Sequence, residues 1–92
     1  MRHAGPAALD VLEPVLAELR ALPSLNEKRR GVFYAKRRAF LHFHEDPAGL
    51  FADLRGAAEA EFERFDVTGE DGRARLVEAA RACLDQSSLR RS

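Results

Sequence analysis

The chain has 92 residues, enough for one hydrophobic core and too few for two, so we expect a single domain over residues 1–92 with an ordered core of about residues 8–86. Apolar residues make up 46% of the chain and charged residues 33%, a balance typical of a packed core under a charged surface and not of a disordered chain. Because 15 basic residues balance 15 acidic ones, the chain has no overall field that would gather phosphates, which argues against nucleic-acid binding by the chain as a whole.

The chain contains a single cysteine, Cys83, which excludes an intrachain disulfide and a thiolate metal site built from this chain alone. The first residues carry a charge, but Asp10, Glu13 and Pro14 interrupt the apolar stretch that a signal peptide needs. No run approaches the roughly 20 apolar residues of a membrane span. We therefore expect a cytoplasmic protein with no membrane partner.

An amphipathic helix is predicted from Asp10 to Leu22. Five apolar residues recur there at helical spacing, namely Leu12, Val15, Leu16, Leu19 and Leu22. Asp10 is expected to cap the helix, and Pro14 is tolerated in the first turn because the N–H groups of that turn have no intrahelical acceptor. Pro23 is expected to end the helix, and Ser24 to Arg30 to form a polar connection.

A β-hairpin is predicted between Val32 and Glu45, where aromatic and β-branched residues flank a charged break at Lys36–Arg38. Whether Lys36 and Arg37 form a two-residue loop or the loop has four residues, Tyr34 lies opposite Ala39, Phe33 opposite Phe40 and Val32 opposite Leu41. We expect the core on the face that carries Val32, Tyr34, Ala39, Leu41 and Phe43. The second face then carries Phe33, Ala35, Arg38, Phe40, His42 and His44.

A third strand is expected after Asp46–Gly49, because Asp, Pro and Gly in this segment are typical turn residues. Taking these four residues as the loop fixes the register between the second and third strands. On the core face it pairs Glu45 with Leu50, Phe43 with Ala52, and Leu41 with Leu54. On the second face it pairs His44 with Phe51, His42 with Asp53, and Phe40 with Arg55.

A rival interpretation of the same region is a helix, since Leu50, Phe51, Leu54, Ala58, Phe62 and Phe65 also fit one helical stripe. Asp46 is then the N-cap and Pro47 the first helical residue. Gly49 and Gly56 argue against an unbroken helix. We therefore predict strands, with a fourth strand over Glu61–Thr68.

A final helix is predicted after Thr68, which forms a variant of the capping box with Asp71. Its apolar stripe is Leu76, Ala79, Ala80, Cys83 and Leu84. Ser87–Ser92 shows no pattern and is expected to be a frayed tail. The predicted fold class is α+β in the order αββββα, an antiparallel meander sheet with the N- and C-terminal helices packed on its apolar face.

His42 and His44 form the most specific local feature, because alternate residues of a strand point the same way and bring both imidazoles onto one surface. Such a pair is suited to a divalent metal or a small ligand. Asp53, expected opposite His42, is the candidate third ligand or the carboxylate that orients a ring. The alternative is that the histidines are half-exposed residues packed beside aromatic side chains. No cofactor is predicted beyond this possible divalent metal.

An activated nucleophile is not apparent in the sequence. Cys83 lies on the apolar stripe of a predicted helix, and the serines lie in the first connection or the tail. The sequence contains no phosphate-cradling glycine loop and no dinucleotide fingerprint. Nothing in the residues demands catalysis, so we favour a protein that is not an enzyme; the alternative is a metal-assisted or small-ligand enzyme-like site on His42, His44 and Asp53.

Two basic runs are the candidates for a nucleic-acid surface. They comprise Lys28, Arg29 and Arg30 in the first run and Lys36, Arg37 and Arg38 in the second. If both runs meet at one end of the sheet, with Phe33 or Tyr34 nearby for stacking, they form such a surface. More often such runs are solvated connections, and nearby acidic residues weaken the field, so nucleic acid is the less favoured partner.

Self-association is the function that the predicted sheet favours. A face that bears Phe33, Phe40 and Phe51 leaves an apolar patch in water unless a partner, a ligand or a second copy covers it. One helix on each face would instead bury these aromatics within the monomer. We expect a non-enzymatic binding module, homodimeric through the face that carries Phe33, Phe40, His42, His44 and Phe51.

The segment RAFLHFHED at Arg38–Asp46, followed by GLFADL at Gly49–Leu54, resembles small bacterial α+β domains with a histidine-rich strand, a turn and a short Leu-x-Ala-Asp strand. Some of those domains are labelled luciferase-associated. The order of elements is also similar to the MmcQ/YjbR-type domains, for which a DNA-binding role has been proposed. The resemblance covers roughly residues 31–84, and Gly56–Glu61 departs from it. It implies a fold, and carries no role over to His42, His44 or Asp53.

Overall fold

The computed structural model describes residues 2–56 and 59–90, with the side chains of residues 2–56 and 59–85. In chain order the elements are β1 (Arg2–His3), α1 (Pro6–Arg20), β2 (Leu25–Arg29), β3 (Val32–Ala35), β4 (Arg38–Asp46), β5 (Gly49–Leu54), β6 (Glu63–Asp66) and α2 (Glu70–Arg90). The predicted α+β class is confirmed. The predicted αββββα order is present with two further strands, β1 and β2.

The sheet is an antiparallel meander in the spatial order β2-β3-β4-β5-β6. The short strand β1 pairs with β4, where Arg2 lies opposite Glu45 and His3 opposite His44. Because β5 occupies one side of β4 along this stretch, β1 lies on the other side, in line with β3. The chain therefore brings its first residues to the middle of the sheet.

Both helices pack on one face of the sheet and contact each other. The core under them is a single cluster of buried side chains. It includes Leu12, Leu16 and Leu19 of α1, Leu41, Phe43, Ala52 and Leu54 of the sheet, and Leu76, Val77 and Ala80 of α2. The opposite face, which we call the open face, carries His42, His44, Phe51 and Asp53. No helix in the described part of the chain is long and apolar enough to cross a membrane.

Helix α1 begins at Pro6, one turn before the predicted start at Asp10. Gly5 is its N-cap and Pro6 its first residue, a position where proline is favoured because its fixed φ suits the helix and no N–H is needed. The N–H of Gly5 donates to Glu45 Oε2 at 2.7 Å, which ties the helix start to β4. Pro14 consequently lies inside the helix and faces solvent, where the loss of one backbone hydrogen bond is tolerated.

The predicted connection Ser24–Arg30 is wrong, because most of it is strand β2 paired with β3. Its half-buried positions are Leu25 and the charged Glu27, and a bulge interrupts the pairing between Glu27 and Arg29. Such an edge strand lacks the apolar period that identifies strands in a sequence.

The hairpin of β3 and β4 has the shorter of the two predicted loops, with Lys36 and Arg37 both in the left-handed region at φ 54° and 68°. Tyr34 lies opposite Ala39 as predicted, but a β-bulge then changes the register. Beyond the bulge Phe33 pairs with Leu41 and Val32 pairs with His42. The side chains of Phe33 and Val32 therefore lie on the faces opposite to those predicted.

Because of the bulge, two aromatic residues that were predicted for the second face lie in the core. Phe33 is 1% exposed and Phe40 is 3% exposed, and both belong to the core. Val32 and Tyr34, predicted for the core, are only half-buried. Because a one-residue slip moves every side chain beyond it to the other face, one unforeseen bulge is enough for both errors.

The predicted pairing of β4 with β5 is confirmed from Leu41 to Glu45, with His42 opposite Asp53, His44 opposite Phe51 and Leu41 opposite Leu54. The predicted pair of Phe40 with Arg55 lies beyond this register, because β5 ends at Leu54. Asp46 and Gly49 are themselves paired, so the turn has two residues instead of four and leaves the register unchanged. The rival helix is therefore wrong. A fourth strand of the predicted meander is present as β6, shorter than the predicted Glu61–Thr68.

Thr68 does not cap α2 as predicted. Its hydroxyl instead accepts a hydrogen bond from the backbone N–H of Leu50 at 2.9 Å, so it joins β5 to the loop before the helix. The helix extends to Arg90, so the predicted frayed tail is helical over residues 87–90, while residues 91–92 lie outside the described part. The expected stripe packs inward, with Leu76 and Ala80 fully buried.

Candidate metal centre

All three histidines of the chain lie together on the open face. His42 and His44 come from alternate positions of β4, and His3 comes from β1, directly opposite His44. The ring centroids are 4.6 Å apart for His42 and His44, 5.2 Å for His3 and His44, and 6.0 Å for His3 and His42. One nitrogen from each ring lies within 4.8 Å of the other two, a separation from which three ligands can converge on one ion.

The predicted ligand set was His42, His44 and Asp53. The structure brings these three residues together, but the third imidazole beside the pair is His3, which sequence analysis did not consider. A strand of two residues is too short to show the alternation of apolar and polar residues from which a strand is predicted. The only signal in the sequence was the small number of histidines, which leaves His3 as the one candidate to complete a cluster.

Asp53 lies beside His44, and Arg64 holds its carboxylate on the side away from the cluster. Arg64 of β6 donates to both of its carboxylate oxygens, at 2.8 and 3.0 Å. The hydrogen bonds from Arg64 outweigh the opposing effect of burial and keep the pKa of Asp53 below its ordinary value. The ionised carboxylate places Oδ2 3.3 Å from His44 Nε2, so it faces this imidazole with a negative charge.

Several ring nitrogens of the cluster are shielded from solvent and have no hydrogen-bond partner among the described residues. They are His42 Nδ1, His44 Nδ1 and His44 Nε2. Buried polar atoms are nearly always paired, so unpaired ring nitrogens on two neighbouring imidazoles indicate a missing partner. Burial, followed by the neighbouring His44, lowers the pKa of His42, which favours the neutral imidazole that binds metals.

A small stack of side chains closes the cluster on the side of β6. The ring of Phe62 meets His42 edge to face at 4.8 Å, and the Arg55 guanidinium lies 4.4 Å from the centroid of Phe62. Arg55 also donates to the carbonyl oxygen of Ala39 at 3.1 Å. This stack limits the rotation of His42, and sequence analysis assigned none of its residues besides His42 to a site.

The predicted interface residues divide between two places. Phe51 lies opposite His44 on the open face and is half-buried, whereas Phe33 and Phe40 are in the core and are not available to a partner. The aromatic patch that suggested a homodimer therefore loses two of its three members. Self-association stays a prediction that these contacts do not test.

The two basic runs lie at opposite ends of β3, contrary to the expectation that they meet. The first surrounds the β2–β3 turn and the second the β3–β4 turn, separated by a strand of 4 residues, or about 13 Å. Arg30 is engaged by Asp10 and Glu13 of α1, and Arg38 donates to the carbonyl oxygen of Glu59. The runs failed to meet because successive hairpin turns always lie at opposite ends of the shared strand.

In comparisons with known proteins, no family model, no curated protein and no solved structure matches this chain. The resemblance to luciferase-associated and MmcQ/YjbR-type domains accordingly stays a prediction.

Proposed function

We propose that this protein binds a divalent transition-metal ion through the imidazoles of His3, His42 and His44. The observation that carries the proposal is the convergence of one nitrogen from each ring within 4.8 Å. Ligand nitrogens around a tetrahedral Zn²⁺ are about 3.3 Å apart when each bond is about 2.0 Å long. Small rotations of the rings close this gap.

The surroundings of His44 support one mode of ligation. Asp53 Oδ2 lies 3.3 Å from His44 Nε2, so a small rotation of the ring directs Nε2–H at this oxygen and leaves Nδ1 of His44 to bind the ion. A carboxylate behind a ligating imidazole fixes the tautomer and makes the ring a better donor. Asp53 acts here as a positioning residue, because Arg64 already occupies both of its oxygens.

The ligand type narrows the choice of ion. Three imidazoles suit Zn²⁺, Ni²⁺ or Cu²⁺ and are a poor match for Mg²⁺ or Ca²⁺, which prefer oxygen. Three protein ligands also leave a coordination position open for water or an added ligand. We infer binding and propose no catalytic step, since Asp53, the carboxylate beside His44, is engaged by Arg64 through both of its oxygens.

Isothermal titration calorimetry of the untagged protein with Zn²⁺ tests this proposal. We expect one ion per chain, and we expect His3→Ala, His42→Ala and His44→Ala each to weaken binding by more than about 100-fold. Phe51→Leu is the matched control, because Phe51 lies on the same face and offers no ligand atom. Circular dichroism verifies that each variant folds. A flat titration of the wild-type protein contradicts the proposal.

A further inference from the structure

A cleft of about 480 Å³ opens beside the three-histidine cluster, at the edge of the sheet between β1 and the β2–β3 turn. His3 forms part of its wall, so the cleft adjoins the proposed metal site. Its apolar lining includes Leu9, Val32 and Phe43. Its charged lining comes from Arg29 and Arg30.

The two arginines of the cleft differ in their partners. Arg30 donates to Asp10 and to Glu13, each at 2.9 Å, so its charge is balanced by α1. Arg29 is exposed and makes no hydrogen bond or ion pair with any residue in the described part of the chain. Among the described residues, nothing occupies this guanidinium, so it is available to an anion.

The strand register places this free guanidinium on the side of the sheet that carries the histidines. Arg29 lies opposite Val32, and Val32 lies opposite His42, so all three occupy the same face. His3 is two positions further along β4, opposite His44. Strand spacings then put the Cα atoms of Arg29 and His3 roughly 8 Å apart, within the reach of an arginine side chain and a short ligand.

We propose that this cleft binds a small carboxylic acid with an apolar body, an inference that rests on the proposed metal site. The carboxylate takes the open position of the ion held by His3, His42 and His44, and pairs with the Arg29 guanidinium. The hydrocarbon part lies against the half-buried side chain of Val32, on the face that carries the histidines, because Leu9 and Phe43 are almost completely buried in the core. One cation without a partner among the described residues suits one negative charge, and the apolar side chain of Val32 favours a carbon chain over an inorganic anion.

Hexanoate is the probe, and the protein loaded with Co²⁺ is the receptor, because the visible absorption of Co²⁺ changes when an anion enters its coordination sphere. We expect hexanoate to change this spectrum and to bind at least about 10-fold more tightly than acetate, which lacks most of the apolar chain. Inorganic phosphate is expected to bind more weakly than hexanoate. Equal affinity for hexanoate, acetate and phosphate overturns the proposal.

Arg29→Gln is expected to weaken hexanoate binding by about 10- to 100-fold, as is typical for loss of a hydrogen bond between charged groups, and to leave Co²⁺ affinity unchanged. Arg37→Gln is the matched control, since it removes the same charge at the other end of β3. Val32→Thr is expected to weaken the binding of hexanoate and to leave the binding of acetate unchanged. Absence of Co²⁺ binding contradicts the metal site itself, whereas Co²⁺ binding with no response to hexanoate contradicts the cleft alone.

Discussion

Asp53 and Arg64 lie opposite each other on β5 and β6 and form a two-point ion pair, with Nε donating to Oδ1 at 2.8 Å and Nη2 to Oδ2 at 3.0 Å. The same Oδ2 lies 3.3 Å from Nε2 of His44. The pair therefore connects the edge of the sheet to one ring of the histidine cluster, and it holds a negative charge where a ligating imidazole needs one.

Replacement of this carboxylate is expected to weaken metal binding without removing a ligand. Asp53→Asn should lower the affinity for Zn²⁺ by about 10- to 100-fold, because the amide no longer stabilises the ligating tautomer of His44. Competition against a chelating dye measures the affinity. Glu63→Gln, which removes a negative charge from the exposed part of β6, should leave it unchanged. Wild-type affinity in Asp53→Asn shows that Asp53 has no positioning role.

The ion pairs around Glu13 of α1 predict how stability depends on pH. Hydrogen bonds from Arg20 and Arg30 hold the pKa of Glu13 below its ordinary value of 4.5. A carboxylate with a lowered pKa contributes stability that is present above the unfolded pKa and is lost as the pH falls through the folded pKa. We therefore expect the stabilising effect of Glu13 to be lost as the pH falls below 4.5 and through the lower folded pKa.

Thermal melts of wild type and Glu13→Gln across this range isolate that effect. The melting temperature of the variant should fall less than that of the wild type as the pH is lowered, because glutamine does not titrate. Glu18→Gln on the same helix should follow the wild-type profile, since Glu18 has no ion-pair partner in the described part of the chain. Parallel profiles for wild type and Glu13→Gln show that these ion pairs contribute nothing measurable.

The sheet was most predictable where a buried face and a well-marked turn agree. Between β4 and β5, the alternation of core residues and the Asp46–Gly49 turn both specify the register, so the predicted cross-strand pairs from Leu41 to Glu45 are present. Between β3 and β4 the loop at Lys36 and Arg37 was predictable, but the bulge beside Phe40 was not. Neither the composition nor the periodicity of a sequence shows where a bulge will form, because a bulge is defined only once two strands are paired.

The site was predictable only in the part that lies on one strand. The spacing of His42 and His44 places both rings on one face, and the β5 register adds Asp53. His3 and Arg64 come from strands whose neighbours are decided by the whole topology. β1 is held by the Arg2–Glu45 ion pair and the bond from Ala4 N–H to the Phe43 carbonyl oxygen, contacts that leave no periodic trace in the sequence.

Because the proposed ion joins β1 to β4, metal binding should also stabilise the fold. A ligand present at about 100 times its dissociation constant adds about 2.7 kcal/mol when it binds only the folded state. For a domain of this size, that corresponds to a rise in melting temperature of about 10 °C or more. Melts with Zn²⁺ and with EDTA measure the shift, and His3→Ala should abolish it. An equal shift in His3→Ala contradicts a role for β1 in holding the ion.

The opposite placements of Phe40 and Phe51 predict unequal effects of the same substitution. Phe40 is 3% exposed within the core, so Phe40→Ala should lower the free energy of unfolding by about 3–5 kcal/mol. Phe51 is half-buried on the open face, and Phe51→Ala should cost less than about 2 kcal/mol. Urea denaturation of both variants makes the comparison. Equal losses of free energy of unfolding would mean that the two rings share one environment, as they do in a register without a bulge. That result would contradict the placement of Phe40 in the core.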